Sequence, residues 1–151
     1  MFIKKHITAL GFVPKNGTNG IYHKIYVDYA IEIDFETQSI NYGSAITAES
    51  KTTQNFSQPE NFVVLECVDR LLTKGYKPQN IVLEKTWPSG HGTSGRLDIC
   101  VNREDGTPYM LIECKTFGKE YNKELAKIRK DGGQLFTYFQ LSGGKADVLM
   151  L

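Results

Sequence analysis

The chain has 151 residues, 40% of them hydrophobic and 23% charged, with a formal net charge of +1. That profile fits one soluble domain burying roughly 70% of its unfolded surface, with no need of a disulfide or structural metal. It argues against a membrane span, because apolar runs such as Tyr109–Ile112 are far too short, and it leaves a nucleic-acid partner open provided the basic surface is local.

Residues 1–13 lack the apolar core of an export signal, so the expected location is the cytoplasm. The three cysteines, Cys67, Cys100 and Cys114, form no CxxC pair and read as buried free thiols in a reducing compartment. Residues 2–10 (FIKKHITAL) predict a short helix stopped by Gly11, and VPKNGTNG (13–20) is dense in turn signals. The run IYHKIYVDYAIEIDF alternates, with Ile31, Ile33 and Phe35 on one face and Glu32 and Asp34 on the other. A turn over 36–39 leads to a short strand, INYG, so residues 21–43 are expected to form an antiparallel β unit. The polar, aperiodic stretch 44–57 reads as a linker.

A more regular part follows. Ser57 is the expected N-cap of a helix over 58–74, Glu60 suits its positive end, and Gly75 supplies the stop. Phe62, Leu65, Val68 and Leu72 keep helical spacing within it. NIVLEKTW (80–87) predicts a strand, PSGHGTSG (88–95) a loop, and 96–115 a hairpin. Residues 119–141 read as helix, interrupted or kinked at Gly132-Gly133, and ADVLML closes the chain as an apolar strand. The division expected from this is an N-terminal α/β segment with linker over 1–57 and an αβββαβ core over 58–151.

The hairpin carries the chemistry. Residues two apart in a strand share a face, so Glu113 and Lys115 point one way while Ile112 and Cys114 point the other. A two-residue turn at Asp105-Gly106 would set Asp98 opposite Glu113, with Cβ atoms about 5 Å apart. Two such carboxylates need a shared proton, the cations of Lys115 or Arg96, or a bound metal ion. Clustered carboxylate oxygens suit Mg²⁺, with Mn²⁺ as a substitute, and the Cys114 carbonyl is placed to help hold it. Lys115 could then orient or deprotonate a water, or stabilise charge developing on phosphorus. A solvent-facing set of ion pairs would use the same residues.

Asp98, fourteen intervening residues and then Glu113-Cys114-Lys115 resembles the D…ExK signature of the PD-(D/E)XK nuclease superfamily. The element order from residue 58 resembles its restriction-endonuclease-like core, a mixed central sheet flanked by helices. Gln134 and Tyr138, in GGQLFTYFQ, match the accompanying QxxxY element. GRLDI, LIECK and QLFTY together are most similar to nuclease domains of type I restriction R subunits and of fused restriction–methylation enzymes. The resemblance covers about 58–151, and Leu97 stands where the superfamily name has proline.

The resemblance implies a metal-dependent DNA endonuclease of a restriction system, with Asp98 and Glu113 on the metal, Lys115 at the water and Gln134 and Tyr138 in support. Glu66 falls on the helix where some members carry a further metal-site acid. The implied partners are DNA and translocase, methyltransferase or restriction subunits, with dimerisation or two meeting complexes for double-strand cleavage. A recombination or repair nuclease (RecB-like, or a junction resolvase) and a non-catalytic DNA-binding module share the same core as alternatives.

Other residues carry weaker signals. Lys119, Lys123, Lys127 and Lys130 make a basic stripe interleaved with acids, either a phosphate contact or a solvated face. GHGTSGR approximates a phosphate-binding loop, but Arg96 and Leu97 replace its lysine and hydroxyl and a strand follows instead of a helix. His91 in that loop could approach phosphate, and Glu84 could face either the site or solvent.

Overall fold

The computed structural model describes residues 2–88 and 95–151. Four helices, a four-stranded antiparallel sheet and a five-stranded mixed sheet give the expected α/β class. Helix α1 (Phe2–Ala9) stops ahead of Gly11, which takes the left-handed φ of +91° that glycine tolerates. Strands β1 (Val13–Pro14), β2 (Ile21–Tyr26), β3 (Tyr29–Asp34) and β4 (Ser39–Asn41) follow as the first sheet. The alternating run over 21–35 is therefore two strands: Tyr26 pairs with Tyr29 across a tip where Val27 has φ +45°. Such tips favour Asn, Asp or Gly, so a β-branched valine there reads as strand interior.

The linker reading of 44–57 is corrected. Thr47–Ala48 form β5, paired in parallel with β6 (Ile81–Thr86) at the edge of the second sheet. A two-residue strand has no periodicity to read, and its partner lies far along the chain. The sheet continues through β7 (Arg96–Asn102) and β8 (Pro108–Ile112), both antiparallel to their predecessors, to β9 (Val148–Met150), parallel to β8. Helix α2 (Glu60–Thr73) precedes these core strands; α3 (Lys119–Asp131) and α4 (Gly133–Leu141) separate β8 from β9. Ser57 is not the cap of α2: Pro59 occupies that position with no side-chain cap bond. The expected interruption at Gly132-Gly133 is a full break, both glycines having positive φ.

The expected register of the β7–β8 hairpin holds, by another route. Ile99 pairs with Ile112, Cys100 with Leu111 and Val101 with Met110. The ladder then shifts between Val101 and Asn102, and the Arg103 N–H reaches the Thr107 carbonyl at 2.8 Å. A loop longer than two residues and a β-bulge cancel, so the strand ends meet as though the turn were tight.

Helix α2 is the middle of the core. Val64, Leu65 and Val68 pack in one cluster with Ile31 and Ile33 of the first sheet and Leu83, Ile99 and Ile112 of the second. Leu97, Cys100 and Leu111 form a second cluster with Leu135 and Tyr138 of α4. Central strands covered on both sides explain the apolar runs Ile81–Leu83 in β6 and Ile99–Val101 in β7. All three cysteines are free thiols, and among the described residues no helix is long and apolar enough to cross a membrane.

A polar rivet ties the first sheet to α2. Asp69, 5% exposed, accepts hydrogen bonds from Lys24 Nζ and Tyr26 Oη, both at 2.5 Å, while Lys24 also donates to the Leu10 carbonyl. Removing the carboxylate strands a half-buried ammonium, a loss of about 2–3 kcal/mol. Asp69→Ala should lower the urea midpoint accordingly, and Lys24→Met with Asp69→Leu should recover much of it. Equal midpoints for Asp69→Ala and the parent would refute the rivet.

Candidate active site

The end of β8 delivers two motif residues and β7 the third. The Cys114 N–H donates to Asp98 Oδ2 at 2.6 Å, which locks the Asp98 carboxylate against the strand carrying Glu113. The Glu113 N–H is itself held by the Met150 carbonyl at 2.9 Å, so β9 steadies the same segment. Lys115 Nζ donates to Glu113 Oε1 at 2.7 Å, to the Cys114 carbonyl at 3.0 Å and to Glu60 Oε1 at 2.9 Å. Asp98, Glu113 and Lys115 are thus brought together, as the alternation required.

Of the two α2 glutamates, Glu60 and not Glu66 lies at Lys115. Glu66 pairs with Arg70 at 2.6 Å and faces His6 at 3.8 Å, apart from the cluster, while Glu60 in the first turn of α2 reaches Lys115. Six residues turn a helix by about 600°, so the two side chains stand roughly 120° apart around it. Spacing from a mistaken N-cap could not say which face met the hairpin.

Burial sets the electrostatics. Glu113 is 3% exposed, and its Oε2 is buried without a hydrogen-bond partner. Burial, then the neighbouring Glu113 charge, pushes the Asp98 carboxyl up to about 7. Burial also raises Glu113, against the pull of Lys115. For Lys115, burial favours the neutral amine, but hydrogen bonds to Glu113 and Glu60 outweigh it and hold the ammonium above its ordinary range. Lys115 is thus a positively charged donor shared by Glu113, Glu60 and the Cys114 carbonyl.

No three His, Cys, Asp or Glu side chains form a ready metal cage among the described residues. Mg²⁺ does not need one, since it is commonly held by one or two carboxylates and keeps several waters. The Asp98–Glu113 pair, with its unpaired buried oxygen, fits that ion; the Cys114 carbonyl, expected to help, accepts from Lys115 here.

The surroundings divide the remaining candidates. Tyr138 is buried, its hydroxyl donating to the Arg96 carbonyl at 2.9 Å, and burial followed by the charges of Glu113 and Asp98 pushes it up to about 12. A Cβ at Gly95 would stand 2.7 Å from that hydroxyl, which is why glycine precedes Arg96. Gln134 is exposed on the same helix; its backbone N–H donates to Glu124 Oε1 at 3.2 Å. Neither Gln134 nor Tyr138 is among the groups that hold Lys115.

Glu124, buried at 3% exposure, is a residue the sequence reading passed over as one of several surface acids. It joins α3 to the start of α4. Glu84 is also buried and pairs with Arg96 Nε at 2.7 Å. Its left-handed φ of +55° interrupts the β6–β7 ladder opposite Asp98, so alternation could not orient it. Lys119, Lys123, Lys127 and Lys130 are exposed on α3. His91 and most of the GHGTSGR loop lie outside the described residues.

The model of one family, described as type I restriction enzyme R protein N terminus (HSDR_N), matches residues 59–142, more than half of the chain. No curated protein matches it.

The raised Asp98 carboxyl has a stability consequence. A group bound more tightly to its proton in the fold than in the open chain stabilises below its ordinary value of 3.8 and loses that contribution as pH rises through about 7. Asp98→Asn, which keeps an acceptor for the Cys114 N–H, should therefore melt several degrees higher than the parent at pH 8. The gap should close towards pH 4. A pH-independent difference in melting temperature would show that the charge is not the cause.

Proposed function

The chain belongs to the family of type I restriction enzyme R protein N termini, and on that premise we propose that it is a Mg²⁺-dependent endonuclease hydrolysing DNA phosphodiester bonds in a restriction system. The observation that carries this reading is the clustering of Asp98, Glu113 and Lys115 through Cys114 N–H and Glu113 Oε1, with the other Glu113 oxygen, Oε2, buried and unpaired. A binding module gains nothing from two opposed buried carboxylates, which destabilise the fold that holds them.

Asp98 and Glu113 would hold Mg²⁺, or Mn²⁺ in its place, with Glu60 taking the auxiliary role first assigned to Glu66. When bound, the ion supplies Lewis-acid stabilisation of phosphate charge and acidifies a coordinated water. Lys115, kept protonated by its carboxylate neighbours, orients the attacking water and neutralises charge developing on the phosphate. Tyr138 positions Asp98 indirectly, by anchoring the Arg96 carbonyl two residues earlier on β7. Gln134 and the exposed lysines of α3 are the groups offered to the DNA backbone.

In this reading residues 58–151 are the nuclease core and 1–57 pack on it. The partners are DNA and the translocase, methyltransferase or other restriction subunits of the same system, in the cytoplasm. Cutting both strands takes two such sites, by dimerisation or by two complexes meeting on DNA.

Asp98→Ala and Lys115→Ala should each lower Mg²⁺-dependent cleavage of covalently closed circular DNA by at least about 100-fold. Glu60→Gln should lower it measurably and Glu66→Gln should leave it unchanged. Mg²⁺ should raise the melting temperature of the parent and not of Asp98→Ala. Full cleavage by both alanine variants would sink the mechanism; activity confined to linear ends would favour a repair-type exonuclease.

A further inference from the structure

Two nucleophilic side chains beside the site take no part in the mechanism above. Cys114 Sγ lies 3.8 Å from Cys67 Sγ, although 47 positions separate the two residues. The elements that carry them account for the meeting. Cys114 stands between Glu113 and Lys115, with its side chain in the core cluster against which Cys67 of α2 packs. Glu60 and Cys67 are seven residues apart, about 700° around a helix, so both stand within roughly 20° of one face. That face of α2 meets the segment after β8 twice, Glu60 at the Lys115 ammonium and Cys67 at the Cys114 sulfur.

The two cysteines differ in access and in mobility. Cys114 is buried at 2% exposure, while Cys67 is partly exposed. Cys67 is also fixed in the middle of the fourteen-residue α2, whereas Cys114 lies past the end of β8. The backbone of Cys114 serves the site directly: its N–H donates to Asp98 Oδ2 at 2.6 Å and its carbonyl accepts from Lys115 at 3.0 Å. A displacement of Cys114 is therefore passed to both.

We propose that Cys67 and Cys114 form a redox modification site, oxidised by hydrogen peroxide to a disulfide that draws Cys114 towards α2 and switches the catalytic cluster off. The consequence for cleavage rests on the nuclease reading above; the sulfur pair stands without it. Two steps form the bond. The Cys67 sulfur attacks the peroxide, an S–O bond forms, the O–O bond breaks, and the departing hydroxide takes the thiol proton as water. The Cys114 sulfur then attacks the sulfenic sulfur, the S–S bond forms, the S–O bond breaks, and a second water leaves with the Cys114 proton. The thiols lose two electrons and the peroxide gains them. Bonded sulfurs stand about 2.05 Å apart, so the pair must close from 3.8 Å. A shift of about 1 Å at reacting groups costs about 100-fold in rate.

The test uses the full chain, reduced with dithiothreitol or treated with hydrogen peroxide. The three cysteines fall in separate tryptic peptides, ending at Arg70, Arg103 and Lys115. Mass spectrometry of the oxidised chain should find the loss of two hydrogens and a link between the first and third peptides, with Cys100 still a thiol. Amide exchange at Cys114, followed by NMR, should quicken at least tenfold as the Asp98 bond is lost. Mg²⁺-dependent cleavage of closed circular DNA should fall at least tenfold, and dithiothreitol should restore both. Cys67→Ser and Cys67→Ala should cut as the reduced parent does and keep that activity after peroxide.

Absence of the Cys67–Cys114 link, or a link between two chains in its place, overturns the site. A link that leaves Cys114 exchange or the parent's cleavage unchanged overturns the switch, as does equal loss of cleavage in the Cys67 variants. A link with quickened exchange in a chain that cuts no DNA even when reduced overturns the nuclease reading instead.

Discussion

The Lys115 ammonium is the point on which the site turns. It lies beyond the last ladder pair of β8 and is shared by Glu113, Glu60 and the Cys114 carbonyl. Each acceptor comes with its own structural demand: the strand must continue past β8, α2 must start at Glu60, and β9 must hold the Glu113 backbone. Without the ammonium, the same arrangement would leave buried carboxylates facing one another in a medium that penalises their charge.

Stability is given up here and recovered elsewhere. Glu113 keeps an orphaned oxygen, Asp98 is forced towards its protonated form, and Glu84 holds a left-handed backbone inside a strand. Strain and desolvation concentrated in one place mark a site that ligand or metal can relieve. The compensation is the double apolar core on either side of the second sheet, together with the Asp69 rivet between α2 and the first sheet.

The first 58 residues take part in this arrangement. β5 extends the core sheet, Glu49 accepts from the Thr86 N–H at 2.8 Å, and the 52–56 loop walls the cavity beside Asp98. The matched family region supplies the acids and the lysine; the segment before it supplies one wall of the space in front of them.

Much was legible from residue order alone. Strand alternation put Glu113 and Lys115 on one face, the Asp-Gly signal aligned Asp98 with them, and the element order with QLFTY pointed to the right family, because local periodicity and spacing survive folding unchanged. The tertiary structure decided the rest. It brought Glu60 and not Glu66 to Lys115, buried Glu84 and Glu124, made an edge strand of a presumed linker and reached the hairpin register through a bulge. Each of these depends on which surfaces meet across distant segments. A side chain's neighbours, and so its charge state, are set by that packing and by no pattern within a single stretch of sequence.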